Sequence, residues 1–214
     1  KGAPSILGLS YPGGFGGHGM WSTGMSVMGN SLYSSGDADG RLSMEEWCRL
    51  AFSGSSVHEA VDLARRFGIQ GRGNYLVSDG QGESRSIEFN VGGVSVLDPR
   101  EGILTHGNHA EGPETSPFEA YEEDGEGVTE RENSCYRMHG LWGLLDVERG
   151  RLTPQKAMML LADHTYYPQG ICRHWVEGRP DMETTAAIVV EPTKGLLHVV
   201  RGQPCANWPI TYTI

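Results

Sequence analysis

Four short β-favouring runs follow one another between Asn74 and Gly107: NYLVSD, SRSIEFN, GVSVLD and GILTHG. Turns bearing Gly and Asp separate them, so the sequence predicts an antiparallel meander. Two more strands are expected at the start, SILGL and MSVMGNSLY, with a glycine-rich stretch between them. TTAAIVVEPTKGLLHVVRG reads as a late hairpin that turns at Pro192-Thr193-Lys194-Gly195. Glycine reaches 31 of 214 residues, yet the early cluster has neither a Walker lysine nor GxGxxG ahead of a helix. Tight turns, not a phosphate cradle, are the expectation there.

Helices fill the gaps. Ser43 and Glu46 form a capping box ahead of an apolar stripe of Trp47, Leu50 and Ala51. SSVHEAVDLARRFG places Val57, Ala60, Val61 and Ala64 on one side and stops at Gly68. SCYRMHGLWGLLDVERG reads as a third helix, and TPQKAMMLLADH as a fourth, with Thr153 as N-cap and Pro154 in the first turn. Strands and helices in blocks predict a layered α+β architecture in a single domain, residues 1–214.

The formal charge is −10, from 17 basic against 27 acidic residues. Nucleic acid and anionic membrane surfaces both need a positive field, so neither is expected as a partner. No apolar run is long enough to span a membrane. Much of the acidity lies in residues 112–132, expected to be a solvated surface loop. The four cysteines have no CxxC spacing and the eight histidines no HExxH, so no metal and no cofactor is expected. SSGDADGRLSMEE imitates a calcium loop, but Ser35 stands where Asp is needed and a strand precedes it; Glu46 as a helix cap explains the same letters. Cys172, two residues before His174, is expected to be a small buried thiol.

ILTHGNHAEG, residues 103–112, reads as a strand Ile103–Thr105 ending in His106, Asn108 and His109. An Asn amide on a rigid strand end suits an oxyanion donor: it is neutral and its neighbours can orient it. Taken alone, Asn108 reads equally as turn chemistry.

Taken together, GMWSTGMSVMGNSLY, ILTHGNHAEG, YYPQGICRHW and TTAAIVVEPTKGLLHVVRGQPC resemble, in order, segments of the acyl-coenzyme A:6-aminopenicillanate acyltransferase family of N-terminal-nucleophile hydrolases. The resemblance implies a four-layer αββα sandwich, incomplete here at its N-terminus. It also implies autoproteolysis that exposes a cysteine, whose thiolate attacks a small-molecule amide or thioester and passes the acyl group to water or an amine. Asn108 matches the oxyanion donor, and the backbone around Asn30 and Ser31 the second donor. His106, His109 and Tyr167 fall where a substrate pocket is expected. None of the four cysteines matches the nucleophile, which is expected on a missing upstream segment. Residues 1–214 alone are therefore expected to be inactive. An active-site arginine of the family is unmatched: Asp181 or Met182 stands in register, and Arg179 only with a shift. The alternative is a non-catalytic binding module that keeps the sandwich without a nucleophile.

Overall fold

In the computed structural model, which describes residues 2–10, 17–121, 126–177 and 182–214, the meander is one half of a larger sheet. Strands β1 (Ile6–Gly8), β2 (His18–Trp21), β3 (Ser26–Asn30), β4 (Gly73–Ser78), β5 (Ser84–Asn90) and β6 (Gly93–Leu97) pair antiparallel in chain order. Helices α1 (Met44–Ala51) and α2 (Val57–Phe67) occupy the excursion between β3 and β4. The expected capping box is present: Ser43 Oγ accepts from the Glu46 N–H, and the Glu46 carboxylate accepts from the Ser43 N–H at 2.9 Å. Glu46 is thus engaged as a cap, as the reading against calcium required.

Strand register sorts the side chains into two faces. Val27 lies opposite Val77, Tyr75 opposite Ile87, and Phe89 opposite Val94. This apolar face is covered by α1 and α2, which contribute Trp47, Cys48, Ala51, Ala60 and Ala64 to one buried cluster. Trp47 stacks on Tyr75 at 5.1 Å between ring centres and donates its indole N–H to the Ala60 carbonyl at 3.2 Å. Leu50, expected in this stripe, is exposed; Cys48 takes the buried position.

The other face carries a row of polar residues, one per strand. Asn30 pairs with Asn74, Asn74 with Glu88, and Glu88 with Ser95. Asn74, Glu88 and Ser95 are all buried, so something other than water must satisfy them.

A second antiparallel sheet holds β7 (Ala186–Glu191), β8 (Leu196–Arg201) and β9 (Ile210–Thr213). The β7–β8 hairpin turns where expected, with Gly195 in the left-handed region at φ 66°. Before it come α3 (Glu126–Val147) and α4 (Pro154–Leu161), the latter capped by Thr153 Oγ1 accepting from the Lys156 N–H. Met158 of α4 packs on Ala187 and Val200. No helix of the described residues is long and apolar enough to cross a membrane.

Three expectations are corrected. Ile103–Thr105 is not a strand: its ladder contact is a single bridge between Arg100 and Ile103. Residues 112–132 are not loop throughout, although Pro113, Glu114, Pro117 and Phe118 are exposed. Gly112 and Thr115 dock on Glu88, residues 116–118 form a 3-10 turn, and α3 begins at Glu126; residues 122–125 lie outside the described residues. β2 and β9 were not expected at all. Most of the early glycine run, residues 11–16, also lies outside the described residues.

Candidate functional site

The polar row of the first sheet is satisfied by the segment 106–115, and this fixes the site. The Glu88 carboxylate accepts from the backbone N–H groups of Glu111 and Gly112, both at 2.8 Å, and from the Thr115 hydroxyl. His106 Nε2 sits 2.6 Å from Glu88 Oε1. Burial alone would push the Glu88 carboxyl up; the hydrogen bonds from His106, Thr115 and Glu111 outweigh it and hold the group below the usual carboxylate range. Asn90 donates to the Thr115 carbonyl at 2.9 Å, and Ser95 Oγ contacts the Glu114 carboxylate at 2.5 Å.

Asn30, next along the row, gives its amide hydrogens to the carbonyls of His106 and Gly107, while its Oδ1 accepts from Asn74 at 3.2 Å. The Asn30 side chain therefore positions the segment and has no amide hydrogen left for an oxyanion, which leaves only the backbone here as a donor. Gly107 is the point of closest approach to α3. A Cβ there would lie 2.4 Å from Ser134 Oγ and 2.9 Å from the Ser134 carbonyl.

Asn108 emerges from this anchor half-buried. Its backbone N–H donates to Ser134 Oγ at 2.5 Å. Its Oδ1 accepts from Arg137 Nη2 at 2.8 Å, and its Nδ2 donates to the Ser31 carbonyl at 3.1 Å. One amide hydrogen is left, on the side of exposed Ser31 just past β3. Arg137 is held in turn: its Nε donates to Asn133 Oδ1 at 2.8 Å, and Arg173 Nη2 donates to the same oxygen at 2.7 Å. Burial, followed by repulsion from Arg173, lowers the Arg137 pKa to about 10.

The expected site residues thus fall into different places. Asn108 and Ser31 come together. His106 and His109 do not face a pocket, since their side chains are 1% and 3% exposed. His109 Nδ1 meets Ser134 Oγ at 2.8 Å, and burial lowers its pKa to about 4, so it is neutral at pH 7. Tyr167 is exposed beyond α4, its ring 5.5 Å from that of His174. Arg179 and Asp181 lie outside the described residues; Met182 is exposed, with Sδ 3.4 Å from Arg173 Nη1. Arg137 and Arg173 were missed by sequence reasoning. Their only signal was position in predicted helix SCYRMHG and in YYPQGICRHW.

Three of the four cysteine thiols are pushed above their ordinary range. Burial pushes the Cys48 thiol up to about 12. Cys135 is raised by burial, and Cys172 rises to about 11 through burial and its contact with Cys205. Beside Asn108's segment, Leu97, Arg100, Ile103, Leu104, Met138 and Trp142 line a cleft of about 350 Å³.

The chain has the α+β fold of N-terminal-nucleophile hydrolases, with antiparallel sheets. Two variants of conjugated bile acid hydrolase from Clostridium perfringens match with TM-scores of 0.57 at 14% and 15% identity, each covering 92% of this chain and 77% of the hydrolase. Penicillin V acylase from Agrobacterium tumefaciens matches with TM-score 0.55 at 15% identity, covering 92% of this chain and 64% of the acylase. No family model and no curated protein matches the chain by sequence. At such low identity the likeness is one of fold.

Proposed function

We propose that the chain is the larger part of an N-terminal-nucleophile amidohydrolase or acyltransferase, acting on a small-molecule amide or thioester. The observation that carries this is the Asn108 amide. Arg137 occupies its oxygen, so its NH₂ faces Ser31 and retains one free hydrogen. A fixed, neutral donor at a half-buried edge is what a developing oxyanion requires. The Ser31 backbone N–H is the second donor, and Asn30 is a positioning residue. Amide hydrolysis by the fold neighbours, conjugated bile acid hydrolase and penicillin V acylase, supports the substrate class.

The nucleophile, an N-terminal cysteine freed by autoproteolysis, lies outside the 214 residues. Its thiolate attacks the carbonyl, the leaving amine or thiol takes a proton, and water or an amine resolves the acyl-enzyme. The cleft mixes an apolar wall, Leu104, Met138 and Trp142, with charged Asp98, Arg100 and Glu111, and so suits an acyl group with an apolar body and a polar end; Tyr167 suits a more distant part of the substrate. Residues 1–214 form one domain, in which α1 and α2, the six-stranded sheet, the three-stranded sheet, and α3 and α4 are the four layers. Neither nucleic acid nor a membrane is a partner of this reading.

The test is made on the complete protein. Its mature N-terminus is determined by intact mass, and turnover of a penicillin V or conjugated bile acid amide is measured. An N-terminal cysteine, with turnover abolished by alkylation and lowered roughly 10²–10³-fold by Asn108→Ala, is expected. A mature N-terminus without Cys, Ser or Thr, and no turnover, would overturn the enzyme in favour of a binding module.

A further inference from the structure

Beyond the end of α4, four side chains from two distant stretches converge. His164 and His174 meet Nε2 to Nε2 at 2.9 Å. Cys172 Sγ lies 3.7 Å from His174 Nε2 and 3.7 Å from Cys205 Sγ. Cys205 Sγ lies 3.5 Å from His174 Nε2, and all four donor atoms fall within 4.8 Å of one another.

The three contacts among Cys172, His174 and Cys205, at 3.5–3.7 Å, match the edges of a tetrahedral ion, and the full set, within 4.8 Å, needs only a small movement of His164 to close on one. With Zn–S near 2.3 Å and Zn–N near 2.0–2.1 Å, two thiolates stand about 3.8 Å apart, sulfur and nitrogen about 3.6 Å, and two nitrogens about 3.3 Å. Only the imidazole pair is closer than that, as two rings sharing a hydrogen bond would be before a metal parts them. A two-iron cluster would seat thiolates and imidazoles on different metal atoms and hold the two pairs further apart.

We propose that His164, Cys172, His174 and Cys205 bind one zinc ion as a closed structural site. Two thiolates and two imidazoles in tetrahedral array select zinc among the common divalent ions. Four protein donors leave no position for substrate or water, so the ion clips rather than catalyses. On binding, each thiol loses its proton to solvent, the imidazoles bind neutral, and two thiolates balance the dication.

The loop is organised for this. The Cys172 N–H donates to the Asp163 carbonyl at 3.0 Å, the His174 N–H to Pro168 at 2.9 Å, and the Tyr167 N–H to His164 at 2.9 Å. These bonds bring three donors together on one loop; Cys205, between β8 and β9, supplies the fourth. Exposed His164 and Cys205 leave a path for the ion to enter. The clip ties the end of α4 to the second sheet. It also brackets Arg173, which reaches Asn133 at 2.7 Å and Glu130 at 3.2 Å on α3. The site does not depend on the catalytic reading.

The protein is purified under reductant, stripped by chelator and titrated with Co(II), then Zn(II). The expected result is one Co(II) per chain, with a thiolate charge-transfer band and the intense visible bands of tetrahedral cobalt, displaced by one equivalent of Zn(II). Cys205→Ser and His164→Asn, both at exposed positions, each weaken Co(II) binding roughly 100-fold or more, whereas Cys135→Ser leaves it unchanged. Circular dichroism reports whether each variant is folded; if one is not, the wild-type cobalt spectrum decides. An octahedral spectrum without thiolate bands, binding that survives Cys205→Ser and His164→Asn combined in one chain, or a Cys172–Cys205 disulfide whose reduction confers no metal uptake would each overturn the site.

Discussion

Arg137 donates through Nη2 to Asn108 Oδ1 at 2.8 Å, and this one bond decides which way the Asn108 amide points. A guanidinium has donors only, so the atom facing it must be the amide oxygen and the NH₂ must face Ser31. The same arginine is pinned through Nε by Asn133, whose Nδ2 donates to the Gln169 carbonyl at 2.5 Å. Donor orientation at the candidate site is therefore set from α3 and from the loop beyond α4, not from the turn that carries Asn108.

That geometry separates the donor role of Asn108 from its structural one. Asn108→Asp keeps an oxygen for Arg137 and strengthens the contact with a charge, but removes the NH₂. The second carboxylate oxygen faces the Ser31 carbonyl in place of the lost donor, which offsets the gain at Arg137. The expected outcome is a folded protein of near wild-type stability, with kcat lowered roughly 10²–10³-fold, about 2.7–4 kcal/mol of barrier. Asn108→Ala loses both functions and leaves Arg137 short of an acceptor, so it loses stability as well. Thermal melts and single-substrate kinetics on the two variants check this. Equal turnover in Asn108→Asp and wild type would remove the oxyanion role.

Gly107 predicts a different kind of failure. Its added Cβ would meet both the hydroxyl and the carbonyl of Ser134, and that carbonyl belongs to α3 and cannot swing away. Gly107→Ala should therefore cost about 1–3 kcal/mol of stability, the range of overpacked sites. It should also lower turnover by moving Asn108, its neighbour in sequence. Denaturant unfolding with kinetics on the same preparation measures both. A variant with wild-type stability would mean that segment 106–109 is not pressed against α3.

How much of this was legible beforehand follows from how local each feature is. The Ser43–Glu46 box, the Thr153 cap and the Gly68 stop are written within a few residues, and all three are present. The α+β blocks and the meander were readable for the same reason. The polar row Asn30–Asn74–Glu88–Ser95 was not. In SRSIEFN, polar alternation is the mark of a water-facing side, and only segment 106–115, arriving from elsewhere in the chain, turns that side into an interior. Ile103–Thr105 misled in the opposite sense. Its apolar letters suit a strand, but the backbone that follows is engaged by Glu88 and Asn30 side chains instead of a neighbouring strand. β2, only four residues long with Gly19 inside it, gave too short and broken a β signal. The four zinc-type donors are spread from residue 164 to 205 without CxxC spacing, so no motif announces them.

The interior that hides Glu88 and His109 should show in the pH dependence of stability, in two separate windows. His109 has a folded pKa of about 4, against an ordinary value of 6.5, because burial disfavours its charged form. A depressed histidine means the unfolded chain binds the proton first. Stability is then complete above about pH 6.5 and declines as the pH falls toward 4, by up to roughly 3 kcal/mol. Glu88 is also held below its ordinary value, so its contribution is intact above the usual carboxylate range and is lost only as the pH falls through its own, lower pKa. Denaturant unfolding from pH 8 to pH 3 should therefore give a decline that starts near 6.5 and steepens at the acid end. His109→Gln removes the titrating ring and should flatten the first part of that curve while leaving the acid limb. Glu88→Gln, which puts an amide where the backbone N–H groups of Glu111 and Gly112 both need an acceptor, should cost about 1–3 kcal/mol at neutral pH and erase the acid limb. If His109→Gln leaves the slope between pH 6.5 and 4 unchanged, His109 is not the buried neutral imidazole that braces Ser134 behind Asn108.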